Sequence, residues 1–528
     1  MSNIGIFHVC ISYLFQALLE FTCVILEILL YYLFFGRDVY IIEGKYMDRK
    51  NVGEYTHEGP KRLWGKGEES MYQIDFEKPG RIYFVGIGGI SMSGLAEILA
   101  DAGFQVLGSD AKKSAVTQML EEKGIKVFYG QRAGNITEDI DCAVFTSAIH
   151  KDNPEYVAVM EKKIPCLSRA QLLGQIMKNY ETPVAISGTH GKTTTTSMVS
   201  EILLKAGMDP TLSIGGMLKT IGGNIRVGKS GYFVTEACEY TNSFLSFFPK
   251  IGIILNIEED HMDFFKDLAD IRHSFREFAK LLPEDGCLII NGDIDHYEEI
   301  TEGLPCKVIT YGFGKENDYY PEKVSHDAYA HDTFLLHSPG EERSFSLKVP
   351  GDHNVSNAMA AIALADLLKI ETSVIREALQ EFTGTDRRFE YKGTIGGVTV
   401  IDDYAHHPTE IEATLRAAKN YPHKTLWCVF QPHTYTRTKA FLPEFAKALS
   451  LADKVILADI YAARETDTLG ISSRTLQEEI KKLGHECEYF PTFDEIENFL
   501  LENCTKGDLL ITMGAGDVLK IGENLLGI

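Results

Sequence analysis

The chain has 528 residues, 45% hydrophobic and 24% charged, which is ordinary globular composition and a length for about three domains. A formal net charge of −23 argues against a general nucleic-acid binder, which needs a basic footprint. Anionic substrates would have to be met by local cations or helix N-termini, and ten scattered cysteines with no C-x-x-C pair suit a reducing cytoplasm.

The N-terminal stretch 4–36 is long and apolar enough to span a bilayer, although Glu20 and Glu27 interrupt it. It lacks the basic start of a signal peptide, and residues 37–70 are polar and aperiodic, like a linker. Two readings follow. In one, 4–36 is a membrane anchor, and membrane contact is expected only then. In the other, which we expect, native translation begins at Met71 and residues 1–70 are absent from the native product. N-terminal sequencing of the native protein separates the two.

From Met71 onward, apolar strands alternate with glycine turns and helices, the rhythm of parallel sheets with crossover helices. "RIYFVGIGG" (81–89) reads as a strand entering a turn, followed by a helix at 93–103 and strands at 104–110 and 142–149. The turn "GIGGISMSG" (86–94) resembles a dinucleotide fingerprint: Gly86 and Gly88 fit, Ser91 stands at the last glycine position, and Asp110 follows near where a ribose-binding acid is expected. A close-packed strand–helix turn explains it equally well. Read as a site, it accommodates any diphosphate-bearing nucleotide at the helix start.

A boundary near 179–183 precedes the strand "VAISG" (184–188) and the loop "SGTHGKTTTT" (187–196). The loop departs from the common G-x-x-x-x-G-K-[ST] pattern, since Ile186 stands where the first glycine belongs. Its place between strand and helix still favours phosphate binding. Gly188 and Gly191 admit close approach, Lys192 can reach terminal phosphate oxygens, and Thr193 can offer its hydroxyl to Mg2+. The run of threonines at 193–196, poor helix formers, suggests hydroxyls in use.

Further strands at 231–238, 251–257 and 287–291 end in acidic and imidazole groups: Glu236 and Glu239, then Glu258, Glu259, Asp260, His261 and Asp263. Acids at the C-terminal ends of parallel strands face the same crevice as the loop, and Thr193, Glu236 and His261 suit Mg2+. A helix spans 351–368. After a second boundary near 383–390 the α/β rhythm resumes, with Arg387, Arg388, His406, His407, His433 and Arg437 following strands. Adjacent histidines point apart, so zinc at His406 and His407 is not expected. The whole reads as three α/β domains: a Rossmann-like unit (71–181), a central P-loop-type ATPase unit with a mostly parallel sheet (182–384) and a Rossmann-like C-terminal unit (385–528), behind a hydrophobic and polar extension (1–70).

As a set, "GIGGISMSGLAEIL", "SGTHGKTTTT", "EACEYTNSFLSFFP", "NIEEDHMDFF", "GDHNVSNAMAAIA", "RRFE", "DDYAHHPTEI", "QPHTYTRT" and "GAGD" resemble the Mur ligases over residues 71–528. In that family the phosphate loop is G-T-x-G-K-[ST], which accounts for the displaced glycine, and "MYQIDF" resembles the family's start. The resemblance implies ATP-dependent joining of L-alanine to the carboxylate of UDP-N-acetylmuramate through an acyl phosphate, in peptidoglycan synthesis. It implies that Gly188, Thr189, His190, Gly191, Lys192, Thr193 and Thr194 cradle ATP phosphates, that Asn357 approaches the adenine, and that Arg388 and Asp403 complete the ATP site. Thr193 and Glu236 would hold one Mg2+ and His261 a second. Gly86, Gly88, Gly89, Ser91, Met92, Ser93, Ser109 and Asp110 would hold the UDP-sugar, and Lys192, His407 and Arg437 would be catalytic. Ser91 replaces a glycine of many relatives, and Thr434 an arginine of some. Three other readings remain: a murein-peptide ligase joining a tripeptide, a P-loop ATP-hydrolysing switch, and a NAD-dependent dehydrogenase, which leaves the second phosphate loop unexplained.

Overall fold

The computed structural model describes the backbone of residues 39–42 and 45–48, and residues 71–528 except 147, 263, 328–330 and 464. The anchor or alternative-start region at 4–36 lies outside the described residues, as does Asp263. Val39–Ile42 and Lys45–Asp48 form an antiparallel hairpin in a unit of their own, 1–68. Among the described residues no helix is long and apolar enough to cross a membrane.

Residues 69–528 form the second unit, an α/β protein of three domains. The first sheet is parallel throughout, ordered Lys126–Tyr129, Gln105–Asp110, Arg81–Val85, Cys142–Phe145, Cys166–Ser168. The central sheet has seven strands: Gly223–Arg226, Thr211–Leu218, Tyr232–Ala237, Thr182–Ser187, Ile251–Ile254, Cys287–Asn291 and Lys307–Tyr311. Only its first pair is antiparallel. The last sheet runs Glu390–Ile395, Val398–Asp403, Leu509–Met513, Leu426–Phe430, Lys454–Leu457, Cys487–Tyr489, again with one antiparallel edge pair. Inner strands such as Cys142–Phe145, Ile251–Ile254 and Leu509–Met513 are buried along their whole length, because helices cover both faces of a parallel sheet.

One element escaped the sequence reading. Tyr320–His326, Asp332–Ser338 and Glu341–Leu347 form a three-stranded antiparallel sheet, whose last two strands turn at Pro339–Gly340 with Gly340 at φ 91°. Alternating polarity around a Pro-Gly pair is the hairpin signal that marks it.

The three domains are joined in two different ways. The N-terminal and central domains share one apolar core, from Phe84 and Leu99 through Met177 to Phe244, Phe275 and Phe278. Their surfaces meet at glycines: a Cβ on Gly174 would lie 1.9 Å from the Ser246 carbonyl oxygen, and one on Gly94 2.0 Å from Ile225 Cγ1. The C-terminal domain keeps its own cores on either side of its sheet. It meets the central domain largely through polar and charged groups, described below.

Candidate active site

The strand Thr182–Ser187 runs into the phosphate loop, and the helix Lys192–Lys205 leaves it. Gly188 (φ 147°) and Gly191 (φ 84°) take backbone conformations that L side chains rarely adopt, and a Cβ on Gly191 would sit 2.6 Å from Asn357 Oδ1. The loop is clamped to 255–258. The His190 N–H donates to Asn256 Oδ1 (2.7 Å), Asn256 Nδ2 donates to the His190 carbonyl (3.0 Å), and the Glu258 N–H donates to Thr189 Oγ1 (2.9 Å). The start of the helix therefore points its free N–H groups into a preformed concavity.

Lys192 folds back over this loop. Its ammonium donates to the Gly188 and Thr189 carbonyls and lies 3.0 Å from Glu239 Oε2. Burial alone would lower its pKa; Glu239 outweighs burial and raises it, so the group is charged. Glu236 is raised by burial, against the Gly215 N–H and the Thr193 hydroxyl that it accepts from. His261 (φ 55°) stacks on Tyr240 at 4.4 Å, and its Nε2 lies 3.7 Å from Glu239; burial lowers its pKa, which favours a neutral imidazole. Thus Thr193 meets Glu236, while the carboxylate beside His261 and Lys192 is Glu239, to which the sequence reading gave no role. Thr194 faces the cleft. Thr195 and Thr196 do not line it: both are fully buried, and their hydroxyls have no hydrogen-bond partner among the described residues. The helical turn carries successive side chains from the site round to the core.

A cleft opens beside the loop between the central and C-terminal domains, lined by Gly191, Thr194, Asn291, Asn357, Arg388 and Asp403 among others. Asp403 accepts from the Phe389 N–H (2.7 Å) and the Ala405 N–H (2.8 Å) and is pushed up to about 6 by burial. Arg388 lies over Tyr404 at 5.2 Å and 3.9 Å from Glu410. The sequence-expected Asn357, Arg388 and Asp403 therefore come together at the phosphate loop from two domains.

A charged cluster closes this junction. His190 Nδ1 lies 3.1 Å from Glu410 Oε1 and Nε2 lies 3.6 Å from Glu258 Oε2. Burial would lower His190, but the two carboxylates hold it up at about 9. His407 packs against His190 with ring centroids 4.8 Å apart and planes tilted by 35°, caps the helix Pro408–Lys419, and is brought down to about 4 by burial and the His190 charge. Ligand atoms of His190, Glu258 and His407 lie within 4.8 Å of one another, and with His190 held up between two carboxylates the trio forms a charge cluster at the junction. The His407 Nε2 is buried and has no hydrogen-bond partner among the described residues. Arg437 donates to Asp260 Oδ1 at 2.8 Å across the same junction and also reaches His433. Sequence reasoning named both Asp260 and Arg437 but not this pairing.

In the N-terminal domain, Gly86 (φ 83°), Gly88 and Gly89 form a tight turn before the helix Ile90–Asp101, whose N-cap, Gly89, offers no side-chain cap. The Gly88 N–H donates to Asp110 Oδ2 (2.9 Å), so this acid buttresses the turn. Ser109 and Met92 are buried, and the Ser109 hydroxyl donates to Glu155. Their side chains thus support the turn from inside. The Ser93 hydroxyl donates to the Ile90 carbonyl, while the Ser91 hydroxyl accepts from Arg169. Arg169, in "SRAQLL", was missed by the sequence reading.

Three α/β domains, with a phosphate loop at the junction of the second and third and a glycine turn in the first, have the organisation of a nucleotide-binding enzyme. The "Mur ligase family, catalytic domain" model matches residues 81–181, the "Mur ligase middle domain" residues 186–365 and the "Mur ligase, glutamate ligase domain" residues 387–516. The chain is 60% identical over 457 residues to a UDP-N-acetylmuramate–L-alanine ligase of Agathobacter rectalis, covering 86% of this chain and 100% of the relative. It is 59% identical over 458 residues to the enzyme so named of Lachnospira eligens, with 86% and 100% covered. The crystal structure of UDP-N-acetylmuramate-alanine ligase from Thermotoga maritima matches with a TM-score of 0.72 at 31% identity, covering 85% of this chain and 98% of that one. A murein peptide ligase of Psychrobacter arcticus matches with a TM-score of 0.63 at 25% identity, with 85% and 98% covered. The chain belongs to the Mur ligase family.

Proposed function

We infer that the protein joins L-alanine to the carboxylate of UDP-N-acetylmuramate, driven by cleavage of ATP to ADP and phosphate, in the cytoplasmic part of peptidoglycan synthesis. The observation that carries this reading is the phosphate loop, headed by Lys192 and completed by Arg388 and Asp403 from the next domain, in a chain 60% identical to a relative of that name. The segments 71–181, 182–384 and 385–528 are the proposed domains.

The chemistry demands what the site contains. A free carboxylate is a poor acyl donor because oxide is a poor leaving group. Transfer of the ATP terminal phosphoryl group to it gives an acyl phosphate and ADP. Attack by the alanine amine on the acyl carbon then forms the amide and expels phosphate. Two anions meet in the first step, so fixed positive charge must lie between them. The loop 188–194 would cradle the phosphates and Asn357 would approach the adenine. The Lys192 ammonium, now against Glu239, would transfer to phosphate oxygens when they enter.

The residues also fit Mg2+. Glu236 is a half-buried carboxylate whose hydrogen bonds come from neutral donors, the Gly215 N–H and the Thr193 hydroxyl, and burial favours a neutral His261 beside Glu239. Thr193 and Glu236 would hold one ion and His261, with Glu239 beside it, a second; bound Mg2+ supplies charge neutralisation at the phosphates. His407 and Arg437 would stand at the acyl and amino-acid end. Closure of the C-terminal domain would keep water from the acyl phosphate.

The test is phosphate release by the purified chain with UDP-N-acetylmuramate and L-alanine supplied separately and together. Release is expected only with both, and not when an L-alanyl tripeptide replaces alanine. Release independent of either substrate would overturn the ligase reading, and release with the tripeptide alone would turn it to a murein-peptide ligase.

A further inference from the structure

A cavity of about 430 Å³ opens at the far end of the helix Lys192–Lys205 from the phosphate loop. It is large enough for a small organic molecule, and the reaction proposed above makes no use of it. Leu204, Leu218, Ala378 and Phe382 give it an apolar wall, the last three of them buried. Glu201 and Thr220 also line it.

The charges around this cavity do not balance. The helix Thr372–Glu381 ends at it, which brings the negative end of a helix dipole to its wall. The last turn of that helix holds no basic residue of its own. Its Glu377 and Glu381 share a single cation among the described residues, Lys205, at 3.4 Å and 2.6 Å. Lys219 serves the other side of the linker, 3.7 Å from Glu390 and 4.0 Å from Asp386. Glu201 is left over. One of its oxygens accepts from the Thr220 hydroxyl, and among the described residues no cation pairs with it. Burial raises its pKa, as befits a carboxylate without a counter-charge.

The cavity also reaches the hinge. Thr383 and Gly384 line it, and Gly384, at φ 99°, lines the nucleotide cleft as well. The next residue, Thr385, is buried and donates its hydroxyl to Ser197 in the helix Lys192–Lys205.

We propose that this cavity is a binding site for a small organic cation, an ammonium group on an apolar body, and that its occupant strengthens nucleotide binding. The ammonium pairs with Glu201 near the end of the helix Thr372–Glu381, and the body rests on Leu218, Ala378 and Phe382. Charge complementarity selects the cation, since a neutral molecule leaves Glu201 unpaired and an anion is repelled by it. An occupant packed against Gly384 favours the arrangement in which that glycine also walls the cleft, and linkage makes the effect reciprocal. The cation site stands apart from the ligase reading; the coupling rests on the nucleotide cleft of that reading.

Benzylamine, protonated at neutral pH, is the probe, with benzyl alcohol and benzoate as neutral and anionic molecules of the same shape. Binding to the full chain is followed by methyl NMR at Ala378 and Leu218. Benzylamine should shift both methyl signals saturably and benzoate should not. Benzyl alcohol should bind about tenfold more weakly, the lower end for loss of a hydrogen bond between charged groups. Glu201→Gln should weaken benzylamine to the level of the alcohol. Thr220→Trp, at an exposed position, should block the cavity and abolish the shifts. With benzylamine saturating, the Kd for ATP, measured by calorimetry without a second substrate, should fall about five-fold, a coupling at the modest end. Equal affinity for amine and alcohol, equal affinity of the parent and Glu201→Gln, or shifts that persist in Thr220→Trp overturn the cation site. An ATP affinity that benzylamine leaves unchanged or weakens overturns the coupling. A parent chain that binds benzylamine and no ATP removes the ligase reading and the coupling with it, and leaves the cation site standing.

Discussion

Lys192 and Arg169 are both cations at the first position of a helix, and the two differ in how that position is tolerated. Lys192 has Glu239 and two carbonyls to hold it until phosphate displaces them. Lys192→Ala removes the charge between the reacting anions, and kcat for phosphate release should fall by about 10²–10³-fold or more, with the fold retained by circular dichroism. A fall confined to KM would show that the lysine only gathers ATP. Asp403 makes a different prediction. Its pKa is raised to about 6 in the fold, above the unfolded value of about 3.9, so the folded state binds the proton more tightly. The stability it contributes is present below about pH 4 and is lost as pH rises to about 6. Asp403→Asn turns its NH2 against one of the two N–H donors, a cost present at every pH, but it carries no charge, so its stability relative to the parent should improve between pH 4 and pH 7 by on the order of 2–3 kcal/mol. Its KM for ATP should rise, because Arg388 loses the charge beside it. A difference from the parent that stays the same at pH 4 and pH 7 would show that burial of this carboxylate costs nothing.

At the scale of elements, the joint between the first two domains depends on what a helix lacks. Gly174 lets the helix Arg169–Met177 touch the turn Tyr240–Ser246, and an added Cβ would lie 1.9 Å from a backbone oxygen that cannot swing away. Gly174→Ala should destabilise the chain by about 3 kcal/mol, the upper part of the overpacking range, seen as a lower midpoint in urea. A midpoint unchanged from the parent would mean that the joint is slack. Such a contact is not legible in a sequence, where Gly174 is only an interruption in "RAQLLGQIM". What was legible is what repeats or stands in order: continuous apolar runs such as "CLIIN", the helix over 351–368, and the loop 187–196 between strand and helix. The fold and the phosphate loop follow from these. The three-stranded sheet carried a readable Pro-Gly turn at 339–340 and was passed over between two stronger patterns. The Lys192–Glu239 and Asp260–Arg437 pairs and the contact of Arg169 with Ser91 went unread because the partners are distant in sequence and supplied by other elements.

The whole molecule combines one fixed joint with one breakable joint. The first two domains share a continuous core, and so move together. The third meets the second through charged and polar pairs: His190–Glu410, Asp260–Arg437, Lys219–Glu390 and Thr385–Ser197. The link between them passes Gly384 (φ 99°), Arg387 (φ 61°) and Phe389 (φ 49°), a run of left-handed conformations that stores strain at a natural pivot. His190 makes this joint sensitive to pH. Facing it are Glu410, which itself pairs with Arg388 and His406, and Glu258 and His407. With the folded pKa raised to about 9 from about 6.5, the stabilisation is fully present below pH 6.5 and is lost as pH rises through 9. At most this is on the order of 3 kcal/mol, enough to shift a two-state closure from largely closed to largely open. Small-angle scattering should show the radius of gyration growing between pH 6.5 and pH 9.5 in the parent. His190→Gln should be larger at pH 6.5 and change less, since its side chain has no proton to lose. Phosphate oxygens entering with ATP would accept hydrogen bonds from both domains and oppose the opening, so saturating nucleotide should blunt the parent's change. A parent radius that stays constant across that interval would remove His190 from the hinge and leave the Asp260–Arg437 pair, whose charges persist throughout it, as the contact that holds the third domain in place.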